Sequence, residues 1–249
     1  MANRQVIQQL LESVEHRPWA LCTSPWTYYQ EWNEALFFHW SVPPEELEPL
    51  LPKNLELNLL DGKAWVSVVA FTMQKIHPKK LFPLSLVSDF LEVNVRTYVS
   101  HQDKDGVYFL NIEAGKSLSA WVSKKLSGLP YEKAAMTRTV TGNFKRYQSQ
   151  SLAKGFSLDI TYSVGPELTN RTPLDAFLTE RYSLYLERGG QLHRYEIHHL
   201  MWPLHKLQIQ AGSLSYKVGQ TQLMLDNVEQ MHYSEGVKVV AWPRETLPG

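Results

Sequence analysis

A β-rich α+β fold is the architecture this sequence predicts, with a closed or strongly curved antiparallel sheet and helices outside it or plugging one end. Three observations predict it. β-Branched and aromatic runs recur along the chain with turn chemistry between them, helical periodicity is confined to a few segments, and residues 89–99 alternate two unlike faces. About ten strands and about four helices are expected. No linker, low-complexity tract or internal repeat interrupts the chain, so residues 1–249 are read as one domain, with 1–24 as a helix and connector packed on the sheet.

Taken in order, Ile7, Leu10, Leu11 and Val14 recur at helical spacing and predict an amphipathic helix over 3–15, ended by Pro18. The connector that follows is dense in Trp and Tyr, which suits a segment covering an apolar surface. Residues 35–42 (ALFFHWSV) read as the first strand, with Phe37 and His39 on one face. Pro43 and Pro44 open a short helix with Glu45 and Glu46 in its first turn, where the helix dipole favours acids. Strands over 55–60 and 64–73 are joined at Asp61-Gly62, a hairpin signal. The strand over 89–99 pairs back, through Asp103-Lys104-Asp105-Gly106, with 107–114. Residues 117–128 (SLSAWVSKKLSG) carry a helical stripe of Leu118, Trp121, Val122 and Leu126. Residues 136–144 and 156–164 read as strands around a polar loop. Thr172-Pro173-Leu174-Asp175 starts the clearest helix, expected to run to the glycines at 189–190. A strand through 195–199 and a terminal hairpin, 228–233 with 237–242, close the list.

Composition narrows the function. Lys plus Arg and Asp plus Glu both number 25, so no net field draws nucleic acid or an anionic membrane, and no aromatic-lined basic groove is present. The N-terminus lacks the apolar core of a secretory signal, the longest apolar runs are too short to cross a bilayer, and a single cysteine, Cys22, excludes an internal disulfide. A soluble, cytoplasmic protein is expected, of open oligomeric state. No glycine-rich phosphate motif or nucleophile elbow occurs, and no cofactor is expected. His193, His198, His199 and His205 do not make a ligand set at strand spacing, so no metal is expected either.

The chemistry concentrates in DFLEVNVRTYV. As a strand it puts Leu91, Val93, Val95, Thr97 and Val99 on one face and Phe90, Glu92, Asn94, Arg96 and Tyr98 on the other. Turned to water, the second face is an ordinary polar surface. Turned into a closed sheet, it lines a cavity with a carboxylate, an amide and a guanidinium between two rings. That arrangement suits a small anionic or keto ligand, with Arg96 holding a carboxylate and His39 nearby. The opposing reading is a ligand sensor or scaffold whose inner charges pair with each other. Glu180, one turn from Phe177 and Leu184, needs a buried partner, for which Arg96 and Arg138 are available.

Seven phrases in order, LFFHWSVPPEELEPLLPKNLEL, DGKAWVSVVAF, FLEVNVRTYV, GVYFLNIEAG, GLPYEKAAM, LDAFLTERYSLY and HYSEGVKVVAWP, resemble the YqjF-like family of uncharacterised bacterial proteins. That family is grouped with acetoacetate decarboxylase-like proteins. The resemblance spans roughly residues 25–243 and implies a twisted, cone-like closed β-barrel around a polar cavity. The related decarboxylases use a Schiff-base lysine beside a second lysine that lowers its pKa. Lys124-Lys125 is similar to that doublet, and Glu92 to the cavity glutamate, which would make these three the catalytic set. The doublet here follows Trp121-Val122-Ser123 rather than a glycine-aromatic-proline turn. Successive helical residues point about 100° apart, so one lysine at most faces a given pocket, and Lys125 is the one on the apolar stripe. Two solvated lysines near a helix C-terminus are the alternative.

Overall fold

The computed structural model describes residues 4–81, 83, 88–115, 131–151 and 153–248. The helix expected over 117–128, and with it Lys124 and Lys125, lies outside the described residues.

The frame is set by long, β-branched and aromatic strands. β1 (Tyr28–Val42), β3 (Ala64–Pro78), β4 (Phe90–His101) and β5 (Lys104–Ala114) pair antiparallel, with the two-residue β2 (Glu56–Leu57) added at the edge of β4. Both faces of these strands are buried. Leu36, Phe38, Val68, Ala70, Val93 and Val95 pack on one side, and Ala35, Phe37, Val69, Phe71 and Phe90 on the other. Alternation therefore sorts side chains between two cores rather than between core and water.

The first core is completed by β7 (Ala135–Thr141), β8 (Phe144–Ser151), β9 (Phe156–Glu167) and β12 (Leu204–Val218), an antiparallel extension of the same sheet. The second lies among β10 (Ser183–Arg188), β11 (Gln191–His198) and β14 (Gln230–Ala241). Pairings run β11-β10-β5-β4-β3-β1-β14, and β14 pairs again with β11 at Ile197↔Ala241 and His198↔Val240. The short β6 (Tyr131–Lys133) joins β5 in parallel, β13 (Thr221–Met224) joins β12, and β15 (Glu245–Thr246) joins β11.

Helices are few and peripheral. α1 (Arg4–Glu12) buries Leu10 against Tyr29, Val240 and Trp242. α2 (Pro44–Leu47) starts at the paired prolines as expected. α3 (Pro173–Thr179) begins with the anticipated capping box, in which Thr172 and Asp175 satisfy each other's backbone N–H groups. Among the described residues no helix is long and apolar enough to cross a membrane.

Four expectations are corrected. α3 stops at Thr179, and residues 183–188 form β10 because Ser183, Tyr185 and Leu186 are drawn into the sheet beside β5 and β11. The polar stretch 145–151 is strand, not loop, since Tyr147, Ser149 and Ser151 turn inward at period two. The terminal hairpin is one continuous strand. Gly236 sits at φ 128° within β14, where a Cβ would lie 2.3 Å from the Trp32 carbonyl oxygen. The turn at Asp61 and Gly62 forms with positive φ at both residues, but it closes only a single bridge, Leu60↔Lys63, while β2 pairs with β4.

Candidate functional site

The second core contains a cavity of about 100 Å³, walled by the polar face of β4 together with β5, β11 and the segment after α3. Its lining is mostly apolar, with Phe71, Phe90 and Trp202 prominent. Glu92, Asn94, Arg96 and Arg181 are the polar groups that matter. A β-bulge helps build it. Between β4 and β5 the register steps from Val95↔Asn111 to Arg96↔Phe109, leaving Leu110 unpaired. The extra residue reverses the facing of β5, so Val107 and Phe109 look into the cavity, whereas Glu113 accepts bonds from Ser149 and Tyr216 in the other core.

Glu92 is 3% exposed and meets no cation among the described residues; it accepts from Asn94 Nδ2 at 3.2 Å and from Tyr131 OH at 3.1 Å. Burial pushes its carboxyl up to about 7, against the pull of those two donors. Near neutral pH it is poised between acid and carboxylate.

Two buried guanidiniums share the cavity. Arg96 donates from Nη2 to the Leu178 carbonyl at 3.2 Å and lies 5.8 Å from the Phe37 ring; its Nε has no partner among the described residues. Arg181 donates from Nε to the Phe177 carbonyl at 2.7 Å, and its Nη1 is 3.3 Å from Asp105. Its Nη2 has no partner among the described residues, and burial pulls its pKa down to about 10, still cationic at neutral pH. No ion pair joins Glu92 to Arg96. Arg181 has Asp105, but the buried charge of Arg96 has no counterion among the described residues, and such a charge costs stability unless something answers it.

The sequence-derived residues thus fall into three sets. Phe90, Glu92, Asn94 and Arg96 stand together on the cavity wall. Tyr98 and His39 lie behind that wall in a hydrogen-bonded chain: Asp175 Oδ1 to His232 Nε2, 2.8 Å; His232 Nδ1 to His39 Nε2, 3.2 Å; His39 Nδ1 to Ser67 Oγ, 2.6 Å; Ser67 Oγ to Tyr98 OH, 2.5 Å; Tyr98 OH to the Leu178 carbonyl, 2.8 Å. Lys124 and Lys125 are outside the described residues. Glu180 takes Arg171, at 2.8 Å, rather than Arg96 or Arg138; Arg138 pairs with Glu34. Arg181 and Asp175 were not singled out as site residues. The helix expected through 188 hid the first, and the capping role explained the second.

Solved structures share this architecture. The enduracididine biosynthesis enzyme MppR complexed with pyruvate aligns with a TM-score of 0.60 at 11% identity, over 93% of this chain and 93% of MppR. An acetoacetate decarboxylase-like enzyme from Sphingomonas wittichii RW1 aligns with a TM-score of 0.58 at 14% identity, over 94% of this chain and 98% of its own. The fold is therefore that of the acetoacetate decarboxylase-like proteins. Residues 29–238 match the model of DUF2071, described as an uncharacterized conserved protein (COG2071), and the chain belongs to that family. It is 29% identical over 221 residues to the uncharacterized protein YqjF of Bacillus subtilis (strain 168), covering 88% of this chain and 91% of YqjF.

Proposed function

We propose that the strand circuit acts as a closed barrel whose cavity binds a small anionic or keto compound, with Arg96 holding a carboxylate and Glu92 beside it as acid. The observation that carries this reading is the pair of buried guanidiniums, Arg96 and Arg181, lining one cavity with no carboxylate paired to Arg96 among the described residues. A ligand carboxylate supplies the missing acceptor, and bidentate pairing suits the planar fork of arginine. At about 30 Å³ per water, a cavity of about 100 Å³ has room for about three waters, which fits a short oxo acid and excludes a nucleotide. Protonated Glu92 can donate to the ligand's oxo oxygen, and the apolar walls strengthen both contacts.

The catalytic form of the reading adds Lys124 or Lys125 as an amine that attacks a keto carbon and expels water to form a Schiff base. Two measurements separate these parts. Calorimetric titration with pyruvate and acetoacetate should show binding that is lost in Arg96→Met and weakened in Arg96→Lys, each variant checked for folding by its thermal transition. Equal binding by all three proteins rejects the site. Borohydride treatment with acetoacetate, followed by peptide mass analysis, should leave a reduced adduct on one of the two lysines. Without one, the chemistry is removed and the binding site stands.

A further inference from the structure

The chain behind the cavity wall has a proton count that does not close. Its ends, the Asp175 carboxylate and the Leu178 carbonyl, both accept. Burial pushes the Asp175 carboxyl up, but the donors of Thr172, Gln230 and His232 outweigh this and hold it below its ordinary value, so Asp175 is ionised. Between these ends stand His232, His39, Ser67 and Tyr98, all 0% exposed. Each neutral group brings one proton to the chain, giving four protons for five contacts. One contact must go without.

Which contact this is follows from the ends. Asp175 takes the His232 Nε2 proton, and Leu178 takes that of Tyr98. Ser67 must then donate to Tyr98 and accept from His39 Nδ1–H. The remaining contact, 3.2 Å between His39 Nε2 and His232 Nδ1, sets two lone pairs face to face, and it is the longest of the five.

We infer that His39 and His232 form a buried binding site for one proton, held open at neutral pH by Ser67 and Tyr98. Filling it completes all the contacts from Asp175 to Leu178 and leaves a shared imidazolium opposite an existing carboxylate. The charged surroundings come from every packed element. Arg96 on β4 opposes a proton on His39 and Arg171 opposes one on His232, while Asp175 on α3 favours it. Gln230 on β14 bonds Asp175, and the Phe37 ring stacks on His39 at 6.0 Å. Burial first, then His232 and Arg96, keeps His39 below the ordinary histidine range, and burial, against the pull of Asp175 and helped by Arg171, keeps His232 below it, so the site fills on the acid side of neutrality. Because the Leu178 carbonyl also accepts from Arg96, the last contact of the chain abuts the cavity.

Nitrogen-15 NMR of histidine-labelled protein without ligand tests this. In the wild type at neutral pH, His39 should be the Nδ1–H tautomer and His232 the Nε2–H tautomer. On acidification the two facing nitrogens should titrate together with uptake of one proton and a far-downfield N–H signal. Ser67→Ala and Tyr98→Phe each remove two contacts and one proton, leaving three contacts for three protons, so the remaining contacts can all be made. In either variant His39 should switch to Nε2–H and the joint titration should move at least tenfold in proton concentration toward acid. A wild-type His39 already in the Nε2–H form, or independent titrations unmoved by either substitution, overturns the inference.

Discussion

Replacing Glu92 by Gln should change how stability depends on pH. Gln keeps the volume and removes the ionisation; its oxygen can accept from Asn94 while its NH2 donates to the Tyr131 hydroxyl oxygen. In the native chain burial raises this carboxyl to about 7 from its ordinary 4.5. Between those values the unfolded chain has released a proton that the native chain still holds. Native stability therefore falls as pH rises from 4.5 through about 7, and is flat above. At about 1.4 kcal/mol for each tenfold change in proton affinity, the loss is on the order of 3 kcal/mol. Glu92→Gln lacks this loss. Urea denaturation should find it near wild-type stability at about pH 4 and up to about 3 kcal/mol more stable at about pH 9. Parallel profiles for the two proteins would refute the reading that Glu92 is buried with no cation beside it among the described residues.

Other predictions follow from the same geometry. Burial lowers His39, His193, His198, His199 and His232, His198 to about 4, so these groups must take up protons more readily when unfolded. Stability should decline as pH falls from the ordinary 6.5 through their native values, read by denaturant midpoints once the opposing Glu92 contribution is removed with Glu92→Gln. Thr172→Ala removes the α3 cap and should cost about 1 kcal/mol by thermal unfolding. Gly106→Ala puts a Cβ 2.4 Å from the Ser183 carbonyl oxygen, where β5 meets β10, and should cost about 3 kcal/mol or prevent folding. Arg181→Met should weaken oxo-acid binding at least tenfold, measured by calorimetry, whereas Arg146→Met, in an exposed pair with Asp159, should leave it unchanged.

The wall of the cavity was legible because its chemistry is written at period two within one strand. Glu92, Asn94 and Arg96 needed no knowledge of distant pairing, only the fact that the opposite face is aliphatic but for Thr97. Arg181 was hidden for the reverse reason. The capping box announced α3, but nothing local announced its end at Thr179; the pull of β5 and β11 on residues 183–188 decides that, and it is a tertiary effect. Polar strands were missed in the same way. In β8 the inward residues include Ser149, which is buried with its hydroxyl donating to Glu113 rather than for apolarity. The His39–His232 contact joins residues 193 positions apart and has no sequence signature. The family resemblance conveyed the β-rich fold, while the balance of charge inside it emerged only from side-chain geometry.

Arg96, which has no counter-anion among the described residues, is proposed to take one from a ligand. A high-resolution crystal structure grown with pyruvate addresses this most directly. The account predicts a carboxylate within hydrogen-bonding distance of the Arg96 guanidinium and beside Glu92. A cavity filled by protein side chains, with Arg96 turned to a protein carboxylate, would contradict it.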